Sequence, residues 1–179
     1  MSARPHALLS RSVVFRGRVF RVERDRVRIR RGGAAVLDVV RHRGSVVLIP
    51  QPDPGHVILI RQYRHAIRRW IWELPAGSLE AGEAPARAAR RECGEEIGLV
   101  PGRVDRLAAY YPTPGFCDEK MIFFRCRDLR TPATPLEGDE DEDIRPRAFT
   151  LAGVRRLIAR GDVVDMKTVV GLALVERRR

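Results

Sequence analysis

Apolar and polar residues alternate with strand periodicity along the first quarter of the chain. Val13 to about Val40 reads as extended structure, with Val27 and Ile29 alternating with Arg26, Arg28 and Arg30. Phe20 and Val22 fall in the opposite phase, which predicts a bulge or break near Glu23–Asp25. Gly32 and Gly33 form a hairpin signal leading into Ala34–Val40. Ser45–Pro50 and Val57–Ile60 are short apolar runs without alternation, the pattern of central strands buried on both faces, and Pro52–Gly55 turns between them.

The period then becomes helical. Pro85–Ile97 is bounded by Pro85 at its start, the acidic Glu83 beside its positive end and Gly98 after it. Arg103–Tyr111 and Lys120–Arg127 read as strands around a Pro/Gly loop. Leu136–Asp143 is an acidic loop, Arg147–Thr150 a short final strand, and Leu151–Ala159 and Asp165–Glu176 are helices. The terminal arginines suit the negative end of that last helix. With 179 residues, no repeats and no long linker, a single domain spanning 1–179 is expected, with an N-terminal strand region at about 13–42 and a core at 43–179. Strands mostly first and helices later point to α/β or α+β layers.

Composition narrows the possibilities. No apolar run approaches bilayer length, and the first ten residues lack the apolar core of a secretory leader. A membrane protein is therefore not expected. The net charge of +11 favours an anionic ligand over a cationic one. Yet 32 of the 34 basic residues are arginine, so a biased composition explains most of the excess and nucleic acid is not the expected partner. The Arg26, Arg28 and Arg30 row could meet phosphates, but such rows are more often the solvated face of a strand. Cys93, Cys117 and Cys126 form no CxxC pair, and His6, His42, His56 and His65 stand apart from them, which argues against zinc and for a reducing cytoplasm.

The chemistry concentrates between Gly77 and Leu99. Glu92, Glu95 and Glu96 stand at i, i+3 and i+4 and share one helix face. Ala89, Cys93 and Ile97 form the adjacent apolar stripe. Like charges at this spacing repel by a few tenths of a kcal/mol. A divalent cation explains their clustering, because hard Mg2+ takes carboxylate oxygens and bridges to phosphates. An exposed acidic face explains it equally well on the glutamate spacing alone.

The full spacing separates the two. Gly77, five residues, Glu83, seven residues, Arg91 and Glu92, an apolar Cys93, one residue, Glu95 and Glu96, one residue, Gly98 and Leu99 together resemble the Nudix box at every fixed position. The resemblance implies an α/β/α sandwich with a mixed β-sheet and an extended N-terminal antiparallel strand region. It also implies hydrolysis of nucleoside diphosphates linked to another group. Carried onto this chain, it makes Glu92 and Glu96 metal ligands, Glu95 a further ligand or a supporting group, and Arg91 the residue that orients a box glutamate, with Glu83 a candidate partner. The cofactor implied is Mg2+, with Mn2+ as a substitute. Cys93 stands where a bulkier apolar residue is usual, and a packing role is expected of it.

The flanks resemble the ADP-ribose pyrophosphatase branch: Arg61–Arg64, Trp72–Gly77, Pro114 fifteen residues after Leu99, Glu140–Arg145 and Asp165–Thr168. That resemblance implies ADP-ribose or a similar nucleotide sugar as substrate, the Ala76 carbonyl on the metal, and a homodimer whose N-terminal strands exchange. It makes Glu140, then Glu142, the candidate general base. Arg64 is a candidate phosphate ligand or a surface ion pair, and Glu73 a ribose or adenine ligand or a support for the box. Arg61 is a further substrate-binding candidate, and Phe116 could stack on adenine or simply pack. Two alternatives stay open: another nucleotide sugar such as GDP-mannose, or a ligand-sensing nucleic-acid-binding protein on the same scaffold.

Overall fold

The computed structural model describes residues 6–29, 32–134 and 144–177. They divide into two compact units, Met1–Gly44 with Tyr111–Lys120, and Ser45–Tyr110 with Met121–Arg179. The first unit is a three-stranded antiparallel sheet, β1 (Ala7–Arg16), β2 (Phe20–Arg28) and β3 (Ala34–His42), in that spatial order. Gly32 and Gly33 take the positive φ values, 88° and 91°, that the β2–β3 turn requires.

Two expectations for this region are corrected. The sheet begins at Ala7 rather than Val13, and β2 runs unbroken through Glu23–Asp25. The register shifts fall on β1, between Leu8 and Ser10 and between Val13 and Phe15; the second lies opposite Val22 and Glu23, so the irregularity expected near Glu23 is carried by the partner strand. The reason is chemical. The inward positions of β2 are Glu23, Asp25 and Val27, so two of its three buried side chains are carboxylates. Arg11 pairs with Asp25 at 2.7 Å, Arg21 with Glu23 at 2.7 Å, and Arg41 reaches Glu23, Asp25 and Asp118 at 2.8, 3.1 and 3.1 Å. Arginine hydrogen bonds hold both carboxyls below their ordinary pKa, Arg21 dominating at Glu23 and Arg11 at Asp25. Hydrophobic phase alone misreads a strand whose buried face is ionic.

The second unit holds two sheets. β4 (Ser45–Pro50) lies in a four-stranded sheet ordered β7 (Ala76–Ser78), β4, β9 (Met121–Arg130), β8 (Val100–Tyr110). β4 and β9 are parallel and the other pairs antiparallel, so the sheet is mixed. The other sheet places β5 (His56–Arg64) between β10 (Arg145–Thr150) and β6 (Arg69–Glu73). Among the described residues, three α-helices cover the strands: α1 (Pro85–Ile97), α2 (Leu151–Arg160) and α3 (Met166–Glu176).

Alternation along β4 and β5 separates two hydrophobic cores. Val46, Leu48, Ile58 and Ile60 pack with Ala88, Ala89, Cys93 and Ile97 of α1. Val47, Ile49, Val57 and Leu59 pack with Leu151 and Val154 of α2 and Leu172 and Val175 of α3. This is the α/β/α layering expected, since a strand buried on both faces feeds a core on each side. Each fully buried aliphatic side chain contributes roughly 1.5–3 kcal/mol.

Candidate active site

Helix α1 follows the boundaries expected of it. Pro85 sits in its first turn, and Gly98 ends it in the left-handed region at φ 69°. Ala88, Ala89, Cys93 and Ile97 are buried against the sheet, which fixes the rotation of the helix about its axis. That rotation half-turns the acidic face inward: Glu92 and Glu96 are 9% and 8% exposed. Burial of two carboxylates without compensating charge is costly, so their partners matter.

Arg91 is the hub. Its Nε and Nη2 donate to the two Glu83 oxygens at 3.1 and 3.0 Å, and Nη1 donates to both Glu92 Oε1 and Glu95 Oε2 at 2.8 Å. Nη2 also reaches the Ser78 carbonyl at 3.3 Å. The Arg91 bond holds the Glu83 carboxyl below its ordinary pKa, and its partners, Glu83 first, push the Arg91 guanidinium up. Glu96 accepts from the Ala76 N–H at 2.9 Å, tying α1 to β7. Glu92 lies against the backbone of Gly77, where an added Cβ would come within 1.9 Å of its carboxyl carbon. Residue 77 must therefore lack a side chain for Glu92 to lie there.

Among the described residues, no group of three or more His, Cys, Asp or Glu side chains is arranged to hold a metal ion. Arg91 bridges Glu92 and Glu95, and Glu96 is turned to the Ala76 amide. The donor chemistry nevertheless fits a hard divalent cation. The donors are all oxygens, they come from one helix face, and Glu92 has a cradle shaped for it at Gly77. Cys93 and Cys126 are fully buried, and the Cys93 thiol is pushed well above its ordinary range by its bond to Cys126 and by burial, which suits packing.

A second cluster stands on β5, β6 and α3. Arg64 grips Glu73 bidentately at 2.7 and 3.0 Å, and the Lys167 ammonium also bonds Glu73, which is 1% exposed. Burial opposes the Arg64 charge, but the Glu73 bond, with Glu96 and Asp165 beyond it, leaves its pKa raised. Glu73 is thus a saturated buried anion, and Arg64 is half-buried. Arg61 lies over the Trp70 ring at 5.6 Å. Phe116 belongs to the other unit and is exposed, its carbonyl accepting from the Val40 N–H at 2.7 Å. Glu140 and Glu142 lie outside the described residues. Lys167 is not among the expected site residues, because lysine is mostly an exposed residue. Its one signal is the resemblance at Asp165–Thr168.

The NUDIX domain family model matches residues 40–166, and the chain belongs to the Nudix family. Within it, the chain is similar to ADP-ribose pyrophosphatase of Bacillus subtilis (strain 168), 32% identical over 168 residues that cover 94% of this chain and 91% of that protein. It is similar to ADP-ribose pyrophosphatase of Mycobacterium tuberculosis (strain ATCC 25618 / H37Rv), 34% identical over 168 residues, 93% of this chain and 81% of that protein. A crystal structure of an ADP compounds hydrolase matches the fold with a TM-score of 0.86 at 27% identity, over 99% of this chain and 96% of that one.

Proposed function

We propose that the protein is a Mg2+-dependent pyrophosphatase converting ADP-ribose and water to AMP and ribose 5-phosphate. The observation that carries this reading is the box itself: Glu92 seated on Gly77, Glu96 tied to Ala76, and Arg91 joining Glu83, Glu92 and Glu95. The substrate is supported by the two relatives named ADP-ribose pyrophosphatase, which align over more than nine-tenths of this chain.

Glu92, Glu96 and the Ala76 carbonyl would hold the ion, with Glu95 as a further or supporting ligand. An ion held there would supply charge neutralisation for the diphosphate and a more acidic water. The rest is done by the chain. Arg91 bridges Glu83, Glu92 and Glu95 and keeps them aligned. Arg64, anchored on Glu73, presents its remaining N–H groups to a phosphate. Arg61 is proposed to bind substrate, and Phe116, in the first unit, is a separate candidate for stacking on adenine. A carboxylate, Glu140 first and Glu142 second by their spacing from Ile144, takes a proton from the attacking water. The water oxygen bonds to one phosphorus, the bond from that phosphorus to the bridging oxygen breaks, and the bridging oxygen stays with the other phosphate.

The first unit supports a homodimer. Leu8, Leu9, Val13, Val14, Phe15, Val36 and Leu37 are all exposed on its sheet, an apolar area a second copy would cover. Among the described residues no helix is long and apolar enough to cross a membrane, and a cytoplasmic location is proposed from the free cysteines. The test is product-resolved kcat/KM with Mg2+ on ADP-ribose, GDP-mannose, NADH and a nucleoside triphosphate. ADP-ribose is expected to lead, and a lead by GDP-mannose would overturn the substrate while keeping the chemistry.

A further inference from the structure

The segment Glu73–Ala76 joins β6 to β7 and delivers the Ala76 backbone to the box. Each of its four residues is held by its own partners. Glu73 shares its carboxylate between Arg64 and Lys167. The Leu74 N–H donates to Thr168 Oγ1 at 2.8 Å. The Pro75 carbonyl accepts from the Leu48 N–H at 2.9 Å, and the Ala76 N–H donates to Glu96. Two of the four are held from the first turn of α3. Asp165 caps that turn: its carboxylate accepts from the Thr168 N–H at 3.0 Å and the Thr168 hydroxyl at 2.6 Å, and pairs with Lys167 at 3.1 Å. The Thr168 hydroxyl therefore gives its proton to Asp165 and offers its lone pair to Leu74. It is 1% exposed and has no freedom to do otherwise.

Lys167 is 6% exposed, and lysine is rarely so buried unless paired. An apolar side chain of similar size would pack as stably in such a place. The charge has an electrical consequence that packing lacks. Lys167 is shared between Glu73 and Asp165, so Glu73 does not rely on Arg64 alone for its positive partner and the Arg64 guanidinium is held less tightly to it. Among the described residues, Arg64 Nη1 makes no hydrogen bond and is available to a ligand.

We propose that the first turn of α3 is a positioning element with two separable routes. Lys167 acts through Glu73 to keep the Arg64 guanidinium charge available to the substrate diphosphate. Thr168 acts through the Leu74 amide to fix the backbone that presents Ala76 to the metal. The inference rests on the reading of the box as a Mg2+-dependent diphosphate hydrolase.

The test measures two dissociation constants on the full chain: Mn2+ by electron paramagnetic resonance without substrate, and a non-hydrolysable methylene analogue of ADP-ribose with Mg2+ present. Lys167→Met is expected to weaken the analogue about tenfold and leave Mn2+ within twofold. Thr168→Val is expected to weaken Mn2+ about tenfold, with Lys167→Arg and Thr168→Ser close to the parent on both constants. Should either variant fail to fold, Lys167→Gln and Thr168→Ala replace them on the same terms. The analogue is expected to weaken with the metal in Thr168→Val, because the ion helps to hold it; both constants within twofold of the parent in either variant, or a loss of Mn2+ affinity in Lys167→Met, overturn the proposal. Glu96→Gln separates the two failures. If it keeps the parent Mn2+ affinity, the metal reading itself falls. If it loses that affinity while the α3 variants do not, only the positioning role falls.

Discussion

Replacing Gly77 by alanine separates the function of the box from its stability. The backbone at 77 is not in the left-handed region, so alanine is conformationally allowed and the effect is steric. The new Cβ would lie 1.9 Å from the Glu92 carboxyl carbon and from Oε1, and 2.2 Å from Oε2. Real contacts of this kind rarely fall below 3.0 Å, so the carboxylate must retreat by about 1 Å. It is the far end of a flexible side chain, so the fold absorbs the change by a rotation costing roughly 0.5–1.5 kcal/mol. A melting temperature lower by no more than ~6 °C is expected. Function cannot absorb it, because a displacement of ~1 Å at a catalytic group costs on the order of 100-fold in rate. The assay pairs kcat/KM for ADP-ribose with a thermal melt. Activity within threefold of the parent would refute the placement of Glu92 against Gly77. A collapse of the melt that accounts for the lost activity would refute the separation.

Other outcomes follow from the packing and the charges. Gly171→Val should destabilise by about 1–3 kcal/mol, because a Cβ there meets Leu74 Cδ1 at 2.3 Å, and urea unfolding reads it directly. Leu48→Ala, at a fully buried position of β4 in the core shared with α1, should cost ~2–5 kcal/mol by the same measurement. The Glu23 and Asp25 carboxyls are held below their ordinary values by arginine. A depressed folded pKa adds stability that is present above the ordinary carboxylate pKa of ~4 and is lost as pH falls through the folded value. Stability should therefore fall below about pH 4, and Glu23→Gln should flatten that fall. A pH–stability curve for Glu23→Gln parallel to the parent's would contradict the assignment.

Much of the fold is legible in the residues because independent signals agree. At α1 the helical period, Pro85 and Gly98 converge on the same boundaries, and β4 and β5 announce themselves as unalternated apolar runs. The strands that escape notice are β6 and β7. Trp72–Gly77 is short, Pro75 interrupts it, and its most buried side chain is a glutamate, so hydrophobic period carries no signal there. β2 shows the same blindness: its buried aspartate is made tolerable by Arg11 and Arg41, 14 and 16 positions away, and its buried glutamate by the nearby Arg21 together with Arg41. The site divides likewise. The box glutamates and Arg91 are local and have fixed spacing, so one helix displays them. The Glu73–Lys167 pair spans 94 positions and exists only once β6 and α3 have packed.

The most direct measurement is ADP-ribose turnover by the parent and by Glu96→Gln, with products resolved and folding verified by circular dichroism. Stoichiometric AMP and ribose 5-phosphate are expected from the parent, dependent on added Mg2+. Turnover at least 100-fold lower is expected from a folded Glu96→Gln protein. Equal turnover by the two would contradict the assignment of chemistry to the box carboxylates, and no turnover by a folded parent would contradict the substrate.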